Sequence, residues 1–403
     1  MSAAARLAKL RHQVVLVESG DRLGGRLHGF EHDGGTWHLD PPTVTLPGVL
    51  RDLFRKSGRP MERVVEMTPA PPRRHLFADG AVLDLPFGDR ALQHDALLSA
   101  LGDDEWSDWV DAWPERWDLL RRTWLDQLPT GRSDLDRSAR RTLGVRKSVS
   151  RLDRDFRDAR PAHMVLDPLR LEGQDERTTP SFTAVRHYVE RTFGRWQVAG
   201  GPSALADVLT VRLAERKVEI ALGETAVDVV RDATGQVTSV VTDVRSLEAD
   251  VVVWCAPIGP FRHRGLPAIP ASRTLVRLGP DAVVPSDVWA HGDPPVHVWS
   301  SGDDRWTLSH LAGEDPLVAL ARVGLDLRAH VVDDPVTLRP SDLVQLGHWG
   351  WLWRGWSSVD VLPGFAPTGG LHHAGAHAWS GGTIEEIGMQ TAAIAAAVGQ
   401  APR

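Results

Sequence analysis

The run Val14-Val15-Leu16-Val17 is apolar, mostly β-branched and free of polar alternation, and it stops at Glu18. That pattern predicts a strand buried on both faces, as in a parallel sheet. It constrains the fold strongly, because parallel strands need crossover connections, usually helices, that cover the sheet. Residues 2–10 suit such a helix: good helix formers throughout, with Leu7 and Leu10 on one face beside Ala3. A helix, a buried strand and an acid at the strand's end make the second half of a nucleotide-binding βαβ unit.

Further along, PGVLRDLFRKS at residues 47–57 reads as an amphipathic helix with Val49, Leu50, Leu53 and Phe54 inward and Gly58 at its end. Asp79-Gly80 between HLFA and AVLDL signals a hairpin. Residues 89–195 read mostly helical. Trp106, Trp109, Trp113 and Trp117 step along one face, with a break expected at Pro114; this is a buried seam before it is a ligand wall. After Gly200-Gly201-Pro202 comes a helix with Ser203 as its expected cap. Strands follow at VEIAL, AVDVVRD, VTSVVTD and ADVVVWCAP, the last ending at Ala256-Pro257. From His263 to Pro340 strands and loops mix. The end is sharper: a strand over 371–375, a turn at Ser380-Gly381-Gly382-Thr383, and a helix over 384–398.

Composition narrows the function. With 403 residues the chain suits two or three interleaved domains. A formal net charge of -7 gives no footprint for a nucleic-acid partner. Cys255 is the single cysteine, so no intrachain disulfide forms and a reducing, cytoplasmic setting is expected. No apolar stretch approaches the roughly 20 residues that span a bilayer, and no secretory signal pattern opens the chain.

Three sets of residues carry chemistry. Glu18, at a strand end, is placed to hydrogen-bond ribose hydroxyls. Gly24 and Gly25 let backbone approach a diphosphate or a ring, and Arg26 can offset phosphate charge or hydrogen-bond a flavin. His372, His373 and His377 span a strand and a turn without a nearby cysteine, so strand and loop histidines are expected there and no metal site. The stretch HWGWLWRGW, residues 348–356, fits a substrate tunnel and sheet core equally well.

VVLVESGDRLGGR resembles the opening of the flavin amine oxidase and phytoene desaturase superfamily, nearest in look to bacterial carotenoid desaturase-like NAD(P)/FAD-dependent oxidoreductases. The likeness continues through LPGVLRDLFRKSGRPME, RWQVAGGPSALADVLTVRLAERKVEI and ADVVVWCAP to GLHHAGAHAWSGGTIEEIGMQTAAIAA. It implies an α/β fold: a Rossmann-like FAD-binding domain from residues 1–75, 196–262 and 341–403, with a mixed helical and sheet substrate domain from 76–195 and 263–340. It implies FAD as cofactor, and hydride transfer from an apolar small molecule to flavin, with an unassigned acceptor and peripheral membrane contact left open. By the same resemblance, the backbone near Val227 meets the adenine. Gly375, Ala376, Gly381, Gly382, Thr383 and Ile384 form the closing turn and helix start at the flavin ring.

The family pattern begins with a strand and G-x-G-x-x-G, so these are expected upstream of Met1; a start codon placed too late is favoured over a true truncation. Two departures stand out. His38-Leu39-Asp40-Pro41 replaces Asp-x-Gly-Pro, and the closing motif lacks its prolines and carries Glu385 and Glu386. Two alternatives follow: a flavin amine oxidase, which often needs an aromatic pair and a lysine at the flavin, and a non-catalytic remnant that binds no flavin. The lysines are Lys9, Lys56, Lys147 and Lys217, and Tyr188 is the sole tyrosine.

Overall fold

The computed structural model describes residues 1–256, 265–364, 367–379 and 381–402. The strand Val15–Glu18 forms, and it pairs in parallel with Glu219–Leu222. A second parallel pair joins Val252–Trp254 to Leu371–His373. Among the described residues each pair is a sheet of two strands. The Val15–Glu18 strand is therefore half-buried, and Val15 is exposed, where burial on both faces was expected. The cause is geometric: one edge of the strand has a neighbour, and the other faces a cavity described below.

Helices close around these pairs. Ser2–Lys9 contacts Pro47–Ser57, Gly201–Glu215 and Ile384–Val398. The Pro47–Ser57 helix buries Leu50, Leu53 and Phe54 and ends at Gly58, as its periodicity predicts. Arg6, buried, is held by Asp52 on that helix at 2.9 Å. The Gly201–Glu215 helix is capped by Gly200 in a left-handed conformation. Ser203, the expected cap, lies inside it, because the helix starts about one turn earlier.

A seven-stranded sheet makes the second region. Its order is Val336–Leu338, Ser272–Arg277, Arg305–His310, Val296–Ser300, Asp287–His291, Arg73–Phe77, Val82–Leu85. The last two strands are the hairpin around Asp79-Gly80. Because Arg73–Phe77 belongs to this sheet, a domain boundary at residue 75 cuts a strand; the sheet region begins at Arg73. The expected boundary at 262/263 and Pro257 lie outside the described residues. Helices from 90 to 193 cover one side. The tryptophan seam breaks as expected, with Pro114 starting a new helix. Trp106, Trp109 and Trp113 join Phe77, Leu83, Leu97 and Val165 in one core.

Register decides what the sheet presents. Arg273 pairs with Ser309, Ser309 with His297, His297 with Trp289, and Trp289 with His75. Residues directly opposite share a face, so these five side chains form one row across five strands.

Candidate active site

A single cavity of about 1920 Å³ runs between the two parallel strand pairs and over that face of the large sheet. This is about twice the upper end of an ordinary small-molecule site, enough for two ligands side by side. Glu18, Gly24, Gly25, Arg26, Gly375, Ala376, Gly381, Gly382, Thr383 and Ile384 all line it. Val227 does not: it sits at a strand irregularity with its side chain exposed, and its neighbour Ala226 lines the cavity instead. Ser380 lies outside the described residues.

At the nucleotide end, Glu18 Oε1 accepts from the Gly20 N–H at 2.8 Å. Its second oxygen has no protein donor among the described residues, which suits hydroxyl groups of a ribose. Gly24 is left-handed at φ +118°, and a Cβ there would come within 2.7 Å of Ala206. The turn can therefore seat on the Gly201–Glu215 helix only as glycine. At the other end, Thr383 caps the Ile384–Val398 helix: Thr383 Oγ1 accepts from the Glu386 N–H, and Glu386 accepts from the Thr383 N–H. The positive end of that helix dipole opens into the cavity. An acceptor at one end and a glycine turn and helix N-terminus toward the other fit a dinucleotide.

Two acids modify this end. Arg26 donates through Nε and Nη2 to Asp40 Oδ2, at 3.0 and 2.6 Å. Burial pushes the Asp40 carboxyl up, but Arg26 and then His348 hold it well below the carboxylate range. Arg26 thus enters the cavity as half of an ion pair. Glu385 is buried with Oε1 accepting from Thr45 and Oε2 unpartnered. Burial, reinforced by Glu386, pushes it up to about 7.

The sheet floor is polar and aromatic. His38 and Leu39 lie over it, with the His38 carbonyl accepting from Trp299 Nε1 at 2.8 Å and Thr307 Oγ1 at 2.9 Å. Asp287 binds three groups: Arg195 at 2.5 Å, His297 at 2.9 Å and Arg73 at 3.4 Å. Burial opposes its charge, yet Arg195 and Arg73 keep its carboxyl well below the usual range. His297 is driven down to about 4 by burial and is neutral at pH 7. Its Nε2–H then donates to Asp287, which leaves Nδ1 as an acceptor with no protein partner among the described residues.

The walls are aromatic. Trp117, Trp124, Trp349, Trp351 and Trp353 line the cavity, so the 348–356 stretch and the end of the tryptophan seam both reach it. Trp356 instead stacks on Trp124 at 5.5 Å, in a core cluster. Among the described residues no lysine and no tyrosine lines the cavity, and no group of three or more His, Cys, Asp or Glu side chains is arranged to hold a metal ion.

Fold and cavity together define an α/β protein with one large cavity between its parallel strand pairs and its seven-stranded sheet. The chain belongs to the flavin containing amine oxidoreductase family, whose pattern matches residues 1–317. It is 25% identical over 295 residues, 69% of this chain and 55% of the relative, to 4,4'-diapolycopene oxygenase of Methylomonas sp. It is 37% identical over 90 residues, 22% of this chain and 16% of the relative, to a 4,4'-diapophytoene desaturase (4,4'-diaponeurosporene-forming) of Staphylococcus haemolyticus. Apart from such short matches, the chain spans about half the length of the curated relatives it matches. Among solved structures it is similar to a putrescine oxidase double mutant, at TM-score 0.62 and 15% identity over 98% of this chain and 96% of that one. It is similar also to cyclohexylamine oxidase from Brevibacterium oxydans, at TM-score 0.62 and 15% identity over 98% and 95%. These likenesses agree with the expected α/β flavoprotein fold. Among the described residues no helix is long and apolar enough to cross a membrane.

Proposed function

We propose that this chain is an FAD-dependent, desaturase-like oxidoreductase that takes hydride from an apolar small molecule. In this reading residues 1–72, 196–262 and 341–403 hold the cofactor and the remainder holds the substrate. The carrying observation is the cavity lining: aromatic and aliphatic walls and, among the described residues, no lysine or tyrosine to serve an amine oxidase of the kind described above. The names of the desaturase and oxygenase relatives support the same choice.

Bound FAD would supply the hydride acceptor. Glu18 holds the ribose end, and the Gly24-Gly25 turn and the start of the Ile384–Val398 helix bracket the rest. Leu50, Leu53, Leu169, Leu171 and Trp299 exclude water from the chamber. His297, held neutral by burial, offers Nδ1 as a hydrogen-bond acceptor on the floor.

The test is the visible spectrum of the purified protein before and after FAD is added and the excess removed by desalting. Flavin bands that survive desalting are the expected result; a colourless protein after both steps refutes the reading. The remnant reading is favoured by two observations: the parallel sheet divided into two pairs, and Arg26 engaged by Asp40. The same spectrum separates the two. A second expected result concerns that pair. Asp40→Asn should tighten FAD binding about fivefold, since both partners are about a third exposed and such pairs are worth about 1 kcal/mol. Weaker binding on titration would show that Asp40 positions Arg26 rather than competes for it.

A further inference from the structure

The strongest unassigned feature is Arg273, in the floor strand Ser272–Arg277. Its guanidinium carries five N–H donors. Nε donates to the Leu39 carbonyl at 3.1 Å, and Nη1 to the Ala271 carbonyl at 2.9 Å and to Ser309 Oγ. Nη2 donates to no described group, and the side chain lines the cavity. No carboxylate lies within ion-pair distance of Arg273 among the described residues. Its face lies 5.4 Å from the Trp299 ring, which fixes the plane.

The local charges do not cancel. The ions felt by Arg273 are Asp40, Arg26 and Glu172. Asp40 is already paired with Arg26 at 2.6 Å, and Glu172 with Arg186 at 2.7 Å. One positive charge remains at the wall of a largely apolar chamber. Burial accordingly drags the guanidinium down, to about 10. A buried charge without a partner is costly, and an anionic ligand removes that cost.

We infer that Arg273 anchors the anionic end of an elongated apolar ligand, a monocarboxylate, through its free Nη2 donors, while the aromatic walls hold the chain. This rests on the substrate-chamber reading above and narrows it: an acid-terminated apolar molecule fits, and an alkylammonium does not. Ser309, beside Arg273 in the same row, orients the guanidinium through Nη1.

The experiment is isothermal titration calorimetry of decanoate, decanol and decylamine against the full chain, with and without FAD. Decanoate is expected to bind at least about tenfold tighter than either other ligand, the gain of a charge-assisted hydrogen bond in a dry site. In Arg273→Met that preference should vanish while decanol affinity holds; in Arg273→Lys part of it should remain. Equal affinities in the unmodified protein overturn the inference, and that arm needs no variant to fold. A drop for all three ligands alike in Arg273→Met, with the ratio kept, also overturns it, because it assigns Arg273 a structural role only. A protein that prefers decanoate yet takes up no FAD refutes the flavin reading and leaves this one standing. Retained FAD without any preference does the reverse.

Discussion

Asp287→Ala is expected to destabilise the protein by about 3–5 kcal/mol, the range for removing one partner of a buried ion pair. Arg195 is about 1% exposed and depends on Asp287 at 2.5 Å; its remaining acid, Glu190, is 3.8 Å away. Arg195 Nη1 already lacks an acceptor. Removing the carboxylate leaves one guanidinium with no close acid and takes the acceptor from His297. Asp287→Asn should cost less, because its amide oxygen still accepts one bond. Asp304→Ala is the control: it pairs with Arg277 on the surface, at 38% and 45% exposure, and should cost about 1 kcal/mol or less. Urea unfolding of the three variants measures this. An Asp287→Ala protein within 1 kcal/mol of the original would mean that the cluster is hydrated and not a buried network.

Glu385 should make stability fall with rising pH. Its folded pKa is about 7 against an ordinary value of 4.5, so the folded state holds the proton more tightly than the unfolded chain. Below pH 4.5 both states are protonated and nothing is lost. Between 4.5 and 7 the unfolded chain ionises first and is favoured; above 7 the full cost, about 3 kcal/mol, is reached. Glu385→Gln keeps an oxygen for Thr45 and removes the ionisation. Its advantage over the original protein should grow from near zero at pH 4.5 to about 3 kcal/mol at pH 8. Unfolding curves at the two pH values read this directly, and a pH-independent difference would rule the mechanism out.

The readable parts of the sequence share one property: their signals are local. The Pro47–Ser57 and Ile384–Val398 helices follow from periodicity over a few turns. The Asp79-Gly80 hairpin follows from two residues, and the strand at Val15 from four. That Glu18, the glycines and the start of the last helix lie along one cavity was also legible, because they lie inside continuous motifs. Val227 shows the limit. The strand formed where expected, but an irregularity between Ala226 and Asp228 passes the cavity-facing position to Ala226.

The sheet floor of the cavity was not singled out. Arg273, Asp287, Arg195 and His297 lie on separate elements and carry no motif. A weak signal existed: Asp287, Trp289 and His291 alternate along one strand, and His297 and Trp299 along the next. Polar residues at the inward phase of a strand mark either a buried network or a ligand wall. Alternation alone could not say which, because it does not reveal the strand's neighbours.

By itself, then, the sequence determined the elements, the α/β class and the flavoprotein family, since backbone propensity, hydrophobic period and short motifs act over a few residues. Tertiary structure decided the charges. It set Asp40 against Arg26, buried Glu385 beneath Thr45, and lined Arg273, Ser309 and His297 across three strands with one cation left over. Those outcomes depend on register and on which side chains lose water together, and both are settled only when segments hundreds of residues apart meet.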